Sequence, residues 1–424
     1  MRLWDSIRES VLAREAATVV SGNVLAQVIS MLAYLVLTRI FSPSDYALFN
    51  IFYSYIEVLV ILSTCKYELA VIVAQDERET SAIVRFALRL NTVVSLLLLT
   101  VVAALYLTGS LPGNFSALGA LVLLIPPMVF FCGSSRVYAA IFNRLHRYRL
   151  MAAYETANAS AGAVLKALFG LLGMKQAGLP LGAVLGQASA NLLYRFRLRD
   201  VALPRPSHSE MLAAARKHRN FPFFVASKDF LNSFSSSLPF LWLALYFDRA
   251  EVGLFGLAFT IVFRPVNLIN NACERVLYAR TAESVRSRQS IGYIVRRFLL
   301  VINAVAIPVG ILGWFVAEPL FTFLFGSNWT GCGIYVRALL PWIVLSLSST
   351  SLMFISNVFS TQRTEFGFYF VLLVLRVAAI AAGIHVGSFL LAIRLYTTAG
   401  MLVSASLLVW YLWQVRRYER SLTS

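Results

Sequence analysis

The stretch "RIFSPSDYALFNIF" occupies residues 39–52, and "LYFDRAEVGLFGLAF" occupies residues 245–259. Each joins two long apolar runs, and both follow the pattern F-x-x-x-[DE]-x-[AG]-L-F. Phe41, Asp45, Leu48 and Phe49 map onto Phe247, Glu251, Leu254 and Phe255 at a constant offset of 206 residues. Extending the register outward pairs Ser21 with Ser227, Ser30 with Ser236, Leu62 with Leu268 and Glu68 with Glu274. The chain therefore contains two copies of one unit. Six apolar runs separate equivalent positions, an even number, so both halves share one orientation and are related by an axis along the membrane normal.

The membrane is implied by composition. The chain is 59% hydrophobic and 13% charged, with a mean hydropathy of +0.73, where a soluble domain carries about 25% charged residues. Windows of about 20 apolar residues place spans near 17–38, 46–64, 83–107, 117–142, 152–173, 178–194, 223–246, 252–273, 296–316, 334–358, 366–386 and 389–413. These runs are too long and too continuously apolar for barrel strands, and backbone groups in hydrocarbon must bond internally, so the fold class is all-α. The expectation is a polytopic protein with about 12 transmembrane helices in two pseudo-symmetric six-helix bundles around a central cavity. Residues 1–195 form the first lobe, 196–220 a basic cytoplasmic linker, and 221–424 the second lobe.

The net charge of +17 is explained by topology and not by nucleic acid. With the N-terminus inside, 27 of the 37 Lys and Arg fall in cytoplasmic segments, and only Arg39, Lys175 and Arg249 fall in outside loops. This positive-inside bias places both termini in the cytoplasm and favours contact with anionic lipids. The linker around "RFRLRDVALPRPSHSEMLAAARKHRN" (195–220) is the densest basic segment, with a partner-docking site as its functional alternative. The opening "MRLWDSIRESVLAREA" is too charged for a cleaved signal. Leu3, Ile7 and Val11 share a face that suits a short interfacial helix. Cys65, Cys132, Cys273 and Cys332 have no paired spacing and the four histidines no ligand spacing, so neither disulfides nor a metal site nor any cofactor is expected.

Polar residues inside the spans repeat at helical intervals. Asn23, Gln27, Ser30 and Tyr34 share one face of the first span, and the offset gives Asp229, Ser233, Ser236 and Phe240 on the seventh. The eighth span carries Thr260, Arg264, Asn267, Asn271 and Glu274, the second Asn50, Tyr53, Glu57 and Thr64, and the fifth Glu155, Asn158, Gly162 and Lys166. For the neutral members, interhelical hydrogen bonding and cavity lining both remain open.

Charges discriminate more sharply. Glu57, Lys166, Arg264 and Arg376 lie well inside their spans and would together cost on the order of 10–14 kcal/mol if exposed to lipid. They are expected to face inward. Glu57 and Arg264 lie at similar depth and form a candidate ion pair, with Glu57 alternatively coupling a proton or sodium ion. Arg136, Arg337 and Arg394 lie nearer span ends, where snorkelling accounts for them. The excess of buried cations suits an anionic passenger, and arginine presents a fork that matches phosphate oxygens. Pro239 and Pro265, with Pro126, Pro127, Pro308 and Pro341, are candidate kinks. The "GAVLG" of residues 182–186 reads as a helix-packing motif. "GLLGMKQ" (170–176) lacks the spacing and hydroxyl of a nucleotide-binding loop, and no catalytic constellation appears, so a transporter and not an enzyme is expected.

The first 80 residues resemble the opening of bacterial polysaccharide-biosynthesis membrane proteins, the O-antigen type flippases of the multidrug/oligosaccharidyl-lipid/polysaccharide exporter superfamily. The likeness is carried by the polar first span with Gln27, the "LTRIFSPSDYALF" turn and the "KYELAVIV" exit at residues 66–73. It implies a bacterial inner-membrane protein of two six-helix lobes that flips undecaprenyl-pyrophosphate-linked oligosaccharide from the cytoplasmic to the periplasmic leaflet. By depth, Lys166, Arg264 and Arg376 take the role of the basic residues that hold the pyrophosphate. Asn23, Gln27, Ser30, Asp229, Ser233, Ser236, Asn267 and Asn271 would line the sugar path. The competing readings are a multidrug or organic-cation antiporter of the same superfamily, which the cationic balance opposes, and a membrane scaffold of a polysaccharide assembly complex, with the basic linker as docking surface for a polysaccharide polymerase or glycosyltransferase.

Overall fold

A computed structural model describes the chain apart from Met1, Ala202, Ser360 and Ser424, and gives no side-chain description for residues 2–20, 271, 272, 274–276, 279, 282 and 423. The face of Leu3, Ile7 and Val11 and the stripe members Asn271 and Glu274 thus lie outside the described residues. Among the described residues there are only helices and their connections. In chain order they are α1 (Arg2–Ile40), α2 (Pro43–Thr64), α3 (Tyr67–Val73), α4 (Glu77–Leu107), α5 (Asn114–Leu118), α6 (Ile125–Arg144), α7 (Tyr148–Leu171), α8 (Lys175–Leu198) and α9 (His208–Lys217). There follow α10 (Ser227–Leu238), α11 (Ala244–Tyr246), α12 (Arg249–Arg286), α13 (Gly292–Phe325), α14 (Cys332–Thr350), α15 (Phe354–Val358), α16 (Gln362–Val386) and α17 (Phe389–Thr423). Nine helical stretches among the described residues are long and apolar enough to cross a bilayer. The expected spans near 152–173, 178–194 and 223–246 are not among them. Polar residues such as Glu155, Lys166 and Gln187 dilute α7 and α8, and the third is broken by π-helical turns at Phe221–Ala226 and Pro239–Leu243 on either side of α10.

The repeated turn is a helix start in both copies. Before α2, the Ser42 hydroxyl accepts from the Asp45 N–H at 3.3 Å and the Ser42 N–H donates to the Asp45 carboxylate at 2.9 Å, a capping box with Pro43 at the first position. Before α12, the Asp248 carboxylate accepts from the Ala250 N–H at 3.1 Å. The aromatic residues of the motif anchor these starts: Phe41 and Phe255 are fully buried, and Phe255 packs against Phe240, Tyr335 and Phe389.

The chain forms two compact units, Met1–Ser237 and Leu238–Ser424. In the first, α7 packs along α8 and α1, while α6 touches α2, α3, α4 and α8. The "GAVLG" motif brings α8 onto α7: a Cβ on Gly182 would lie 2.6 Å from the Lys166 backbone nitrogen, and one on Gly186 2.6 Å from the Gly162 Cα. Gly182→Leu should therefore destabilise the protein by about 1–3 kcal/mol or more through overpacking, read as a lowered melting temperature in detergent. Gly162→Ala, whose new Cβ meets nothing within 4 Å, should be close to neutral. Pro126 and Pro127 stand in the first turn of α6, after a 3-10 segment at Gly119–Leu124. There the missing N–H groups cost no helical bond, so they start a helix where the sequence suggested a kink. Pro265, Pro308 and Pro341 do lie inside helices.

Neutral polar residues bond α6 to its neighbours. Asn91 of α4 donates to the Phe130 carbonyl at 2.9 Å and to Ser134 at 3.1 Å, across the space left by Gly133. Gln187 of α8 donates to the Tyr154 hydroxyl at 2.6 Å and to Ser135 at 3.1 Å, and Asn191 to the Phe131 carbonyl at 2.6 Å. These are interhelical ties of the kind favoured in membranes.

The basic linker is docked on the first unit. Met211, Ala214 and Ala215 of α9 pack with Ala82, Ile83 and Ala87 of α4. Lys217 and His218 converge on the Glu79 carboxylate at 2.7 and 2.9 Å, and Arg78 meets Glu210 at 2.7 Å. The Ser207 N–H and hydroxyl, with Arg78 beside them, hold the Glu210 carboxyl below its ordinary range.

The second unit is built on the α16–α17 pair and on α14, which packs against α12, α13 and α17. Its start at α13 is tied by Glu419 of α17, which accepts from the Ile291 and Gly292 N–H groups at 2.7 and 2.8 Å and from Ser290. This carboxylate satisfies donors that a helix N-terminus leaves open.

Candidate functional site

The first unit holds Lys166, Glu57 and the polar face of α1. Gly182 fixes α8 beneath Lys166, and the ammonium lies 4.8 Å from the centre of the Phe49 ring of α2. A ring face at that distance attracts a cation through its quadrupole. Lys166 is half-buried, as is Asn23. Ser30 turns back to the Ala26 carbonyl at 2.8 Å, so its hydroxyl is satisfied within α1. Gln27 differs, because its amide nitrogen is buried and has no protein hydrogen-bond partner among the described residues.

Among the other donors of this unit that share that property are the amide nitrogen of Asn50 on α2 and Nη1 of Arg136 on α6. Sequence leaves Arg136 to snorkelling near a span end; in the structure it lies on α6 (Ile125–Arg144) with this donor buried, which depth along a span does not reveal. Glu57 is exposed on α2, and both Glu57 and Arg136 lie within electrostatic reach of Cys132 on α6. An arginine and a carboxylate thus share one neighbourhood in the first unit.

Asp229 of α10 forms an ion pair with Lys66, 2.7 Å away. Lys66 and Cys65 both adopt left-handed backbone conformations, with φ of 61° and 48°, at the junction between α2 and α3. This is an uncommon geometry for residues other than glycine, and here it aims the lysine at α10. Ser233 and Ser236 follow on α10 and are half-buried.

In the second unit, Arg264 is half-buried on α12 directly before Pro265, and Asn267 is exposed one turn further on. Arg376 is enclosed: it is 1% exposed, with its guanidinium 4.8 Å from the Trp342 ring centre and 4.2 Å from that of Tyr396. Gly400 makes room for this arrangement, since a Cβ there would lie 2.7 Å from the indole. A second buried charge, Glu365 of α16, accepts from Ser356 and, at 3.4 Å, from the Tyr411 hydroxyl. No apolar-window reading singles it out, because it sits in the first turn of its helix. Among the described residues no cluster of His, Cys, Asp and Glu could hold a metal ion.

Comparison with known proteins agrees with this architecture. A family described as polysaccharide biosynthesis protein matches residues 36–333. The succinoglycan biosynthesis transport protein ExoT of Rhizobium meliloti (strain 1021) is 23% identical over 297 residues, covering 69% of this chain and 58% of that protein. Among solved structures, an inward-facing multidrug resistance MATE family transporter of the MOP superfamily superposes with a TM-score of 0.72 at 14% identity, covering 96% of this chain and 99% of that one. The lipid II flippase MurJ, in an inward closed conformation, gives 0.73 at 11% identity, covering 95% and 90%. A MOP superfamily transporter from Pyrococcus furiosus, for which a reversed polarity of the binding pocket suggests a different function, gives 0.66 at 13% identity over 96% of each chain. The chain is therefore a multi-pass membrane protein with the MOP transporter fold, and it belongs to the polysaccharide biosynthesis protein family.

Proposed function

We propose that this protein is a flippase that moves undecaprenyl-pyrophosphate-linked oligosaccharide repeat units from the cytoplasmic to the periplasmic leaflet of a bacterial inner membrane by alternating access. The observation that carries the reading is the set of donors on Gln27, Asn50 and Arg136, buried inside apolar spans without a protein partner. Leaving such a group unsatisfied costs about 1–3 kcal/mol, and more when it is charged. Sugar hydroxyls and phosphate oxygens are the acceptors that match them. Lys166 in the first unit, and Arg264 and Arg376 in the second, are the cations assigned to the diphosphate. Arg376 becomes available only once Trp342 and Tyr396 release it. The polyprenyl tail stays in lipid.

The MATE-like fold also fits an antiporter for organic cations, but the mid-span charges favour the anionic cargo. Glu57 stands against Lys166, Arg264 and Arg376, and Arg136 adds to the cationic side. The test is deletion of the gene with analysis of lipid-linked repeat units. Units should accumulate on the cytoplasmic side, and Arg264→Ala and Arg376→Ala should each restore export only in part. Absence of accumulation would overturn the reading, and full rescue by both variants would remove these two arginines from the site.

A further inference from the structure

A groove of about 590 Å³ runs between α1 and α7, bounded by Ser21, Gly22 and Leu25 on one side and by residues from Arg149 to Ser160 on the other. At its floor the helices touch: a Cβ on Gly22 would lie 2.3 Å from that of Ala152. From Arg149 to Ser160 is eleven residues, about 16 Å of helix, close to the depth of one leaflet of a hydrocarbon core about 30 Å thick. The walls are small and mostly apolar, with Ala153 and Ala157 one turn apart. Thr156 turns its hydroxyl back to the Ala152 carbonyl at 2.9 Å. Among the described residues no carboxylate lines the groove.

Its mouth is cationic for two separate reasons. Arg149 is exposed and makes no ion pair or side-chain hydrogen bond among the described residues. The N-terminus of α7 lies at the same level, with Arg147 at the cap position, no side-chain cap and no acid in the first turn. The positive end of that helix is thus left to attract an anion. Lys166 lies seventeen residues beyond Arg149 on α7, about 25 Å along the axis, so the groove is separate from the site described above.

We infer that this groove is a loading site for a prenyl diphosphate lipid, with the isoprenoid chain lying along Ala153 and Ala157 and the diphosphate on Arg149. A channel between two helices suits one chain, whereas a phospholipid brings two. A diphosphate also carries more charge to a fork donor and a helix end than a phosphodiester does. The inference rests on the flippase reading and on the basic loops being cytoplasmic, but its test measures binding alone. The full chain in phosphatidylcholine nanodiscs is photolabelled with a benzophenone-bearing prenyl diphosphate, and the labelled peptides are mapped. Labelling should fall within residues 149–160, drop about tenfold in Arg149→Gln and be lost in Ala153→Trp, while both variants elute as folded protein. Because Arg149 is exposed, its variant tests the site even if the tryptophan disturbs packing. Labelling elsewhere, labelling indifferent to Arg149→Gln, or equal displacement by phosphatidylglycerol overturns the inference, the last by making the site one for ordinary acidic lipids. Labelling as expected in a protein whose deletion strands no repeat units sustains the site and removes the flippase reading.

Discussion

Lys166→Gln should slow export of lipid-linked oligosaccharide by about tenfold to a hundredfold, the range for losing one charged hydrogen-bond donor worth about 1.5–3 kcal/mol. Two contacts and one exposure make this position sensitive. Gly182 fixes the backbone of Lys166 against α8, Phe49 supports the ammonium from α2, and the side chain remains partly accessible. Glutamine keeps most of the stem and all of the helix packing, so expression and melting temperature should be unchanged. Lys166→Arg keeps the charge and should retain most activity. The measurement is the appearance of the oligosaccharide on the far side of proteoliposomes, and equal rates for wild type and Lys166→Gln would remove this lysine from the translocation path.

The second large effect is a response to voltage. A diphosphate crossing with about two negative charges gains roughly 4.6 kcal/mol from 100 mV, at about 2.3 kcal/mol per charge. At equilibrium this shifts the distribution between leaflets by about three orders of magnitude. A potassium diffusion potential, negative on the side of loading, should drive the substrate outward, and collapsing it with an ionophore should let the distribution relax. Indifference to voltage would mean that compensating cations travel with the lipid. Glu57 would then be the residue to change, because it is the carboxylate that shares its neighbourhood with Arg136.

Much of the architecture was legible because the bilayer imposes so strict a condition on sequence. Uninterrupted apolar runs can satisfy their backbone only as helices, and the capped turn before α2 has an unambiguous chemistry in Ser42, Pro43 and Asp45. The packing motif at Gly182 and Gly186 was legible for the same reason, since close approach leaves few options but glycine. The spans expected near 152–173, 178–194 and 223–246 are helical but are not among the nine described stretches apolar enough to cross a bilayer. Their helices α7 and α8 carry the polar residues that lower a hydropathy window.

The site was less legible, because periodicity gives the depth and face of a residue along its own helix but not what stands opposite. Arg376 and Arg264 read alike in sequence, yet one is enclosed by two rings and the other is half-exposed. Asp229 looked like a member of a polar stripe, while its carboxylate pairs with Lys66, more than 160 residues earlier in the chain. By depth alone Arg136 lies near the end of its span, and depth does not show that one of its guanidinium nitrogens is buried without a partner among the described residues. The docking of α9 by Glu79, Lys217 and His218 likewise depends on long-range geometry that no local pattern encodes.

The signature that recurs at Phe41 and Phe247 serves to begin a helix at a fixed point, and its hydrogen bonds are consumed within the turn itself. It makes no demand on whatever passes through the membrane. Under the proposed function, proteins that carry dissimilar glycans can share this corner unchanged, with cargo preference free to diverge along α1, α2 and α7 without unsettling the points from which the spans are launched.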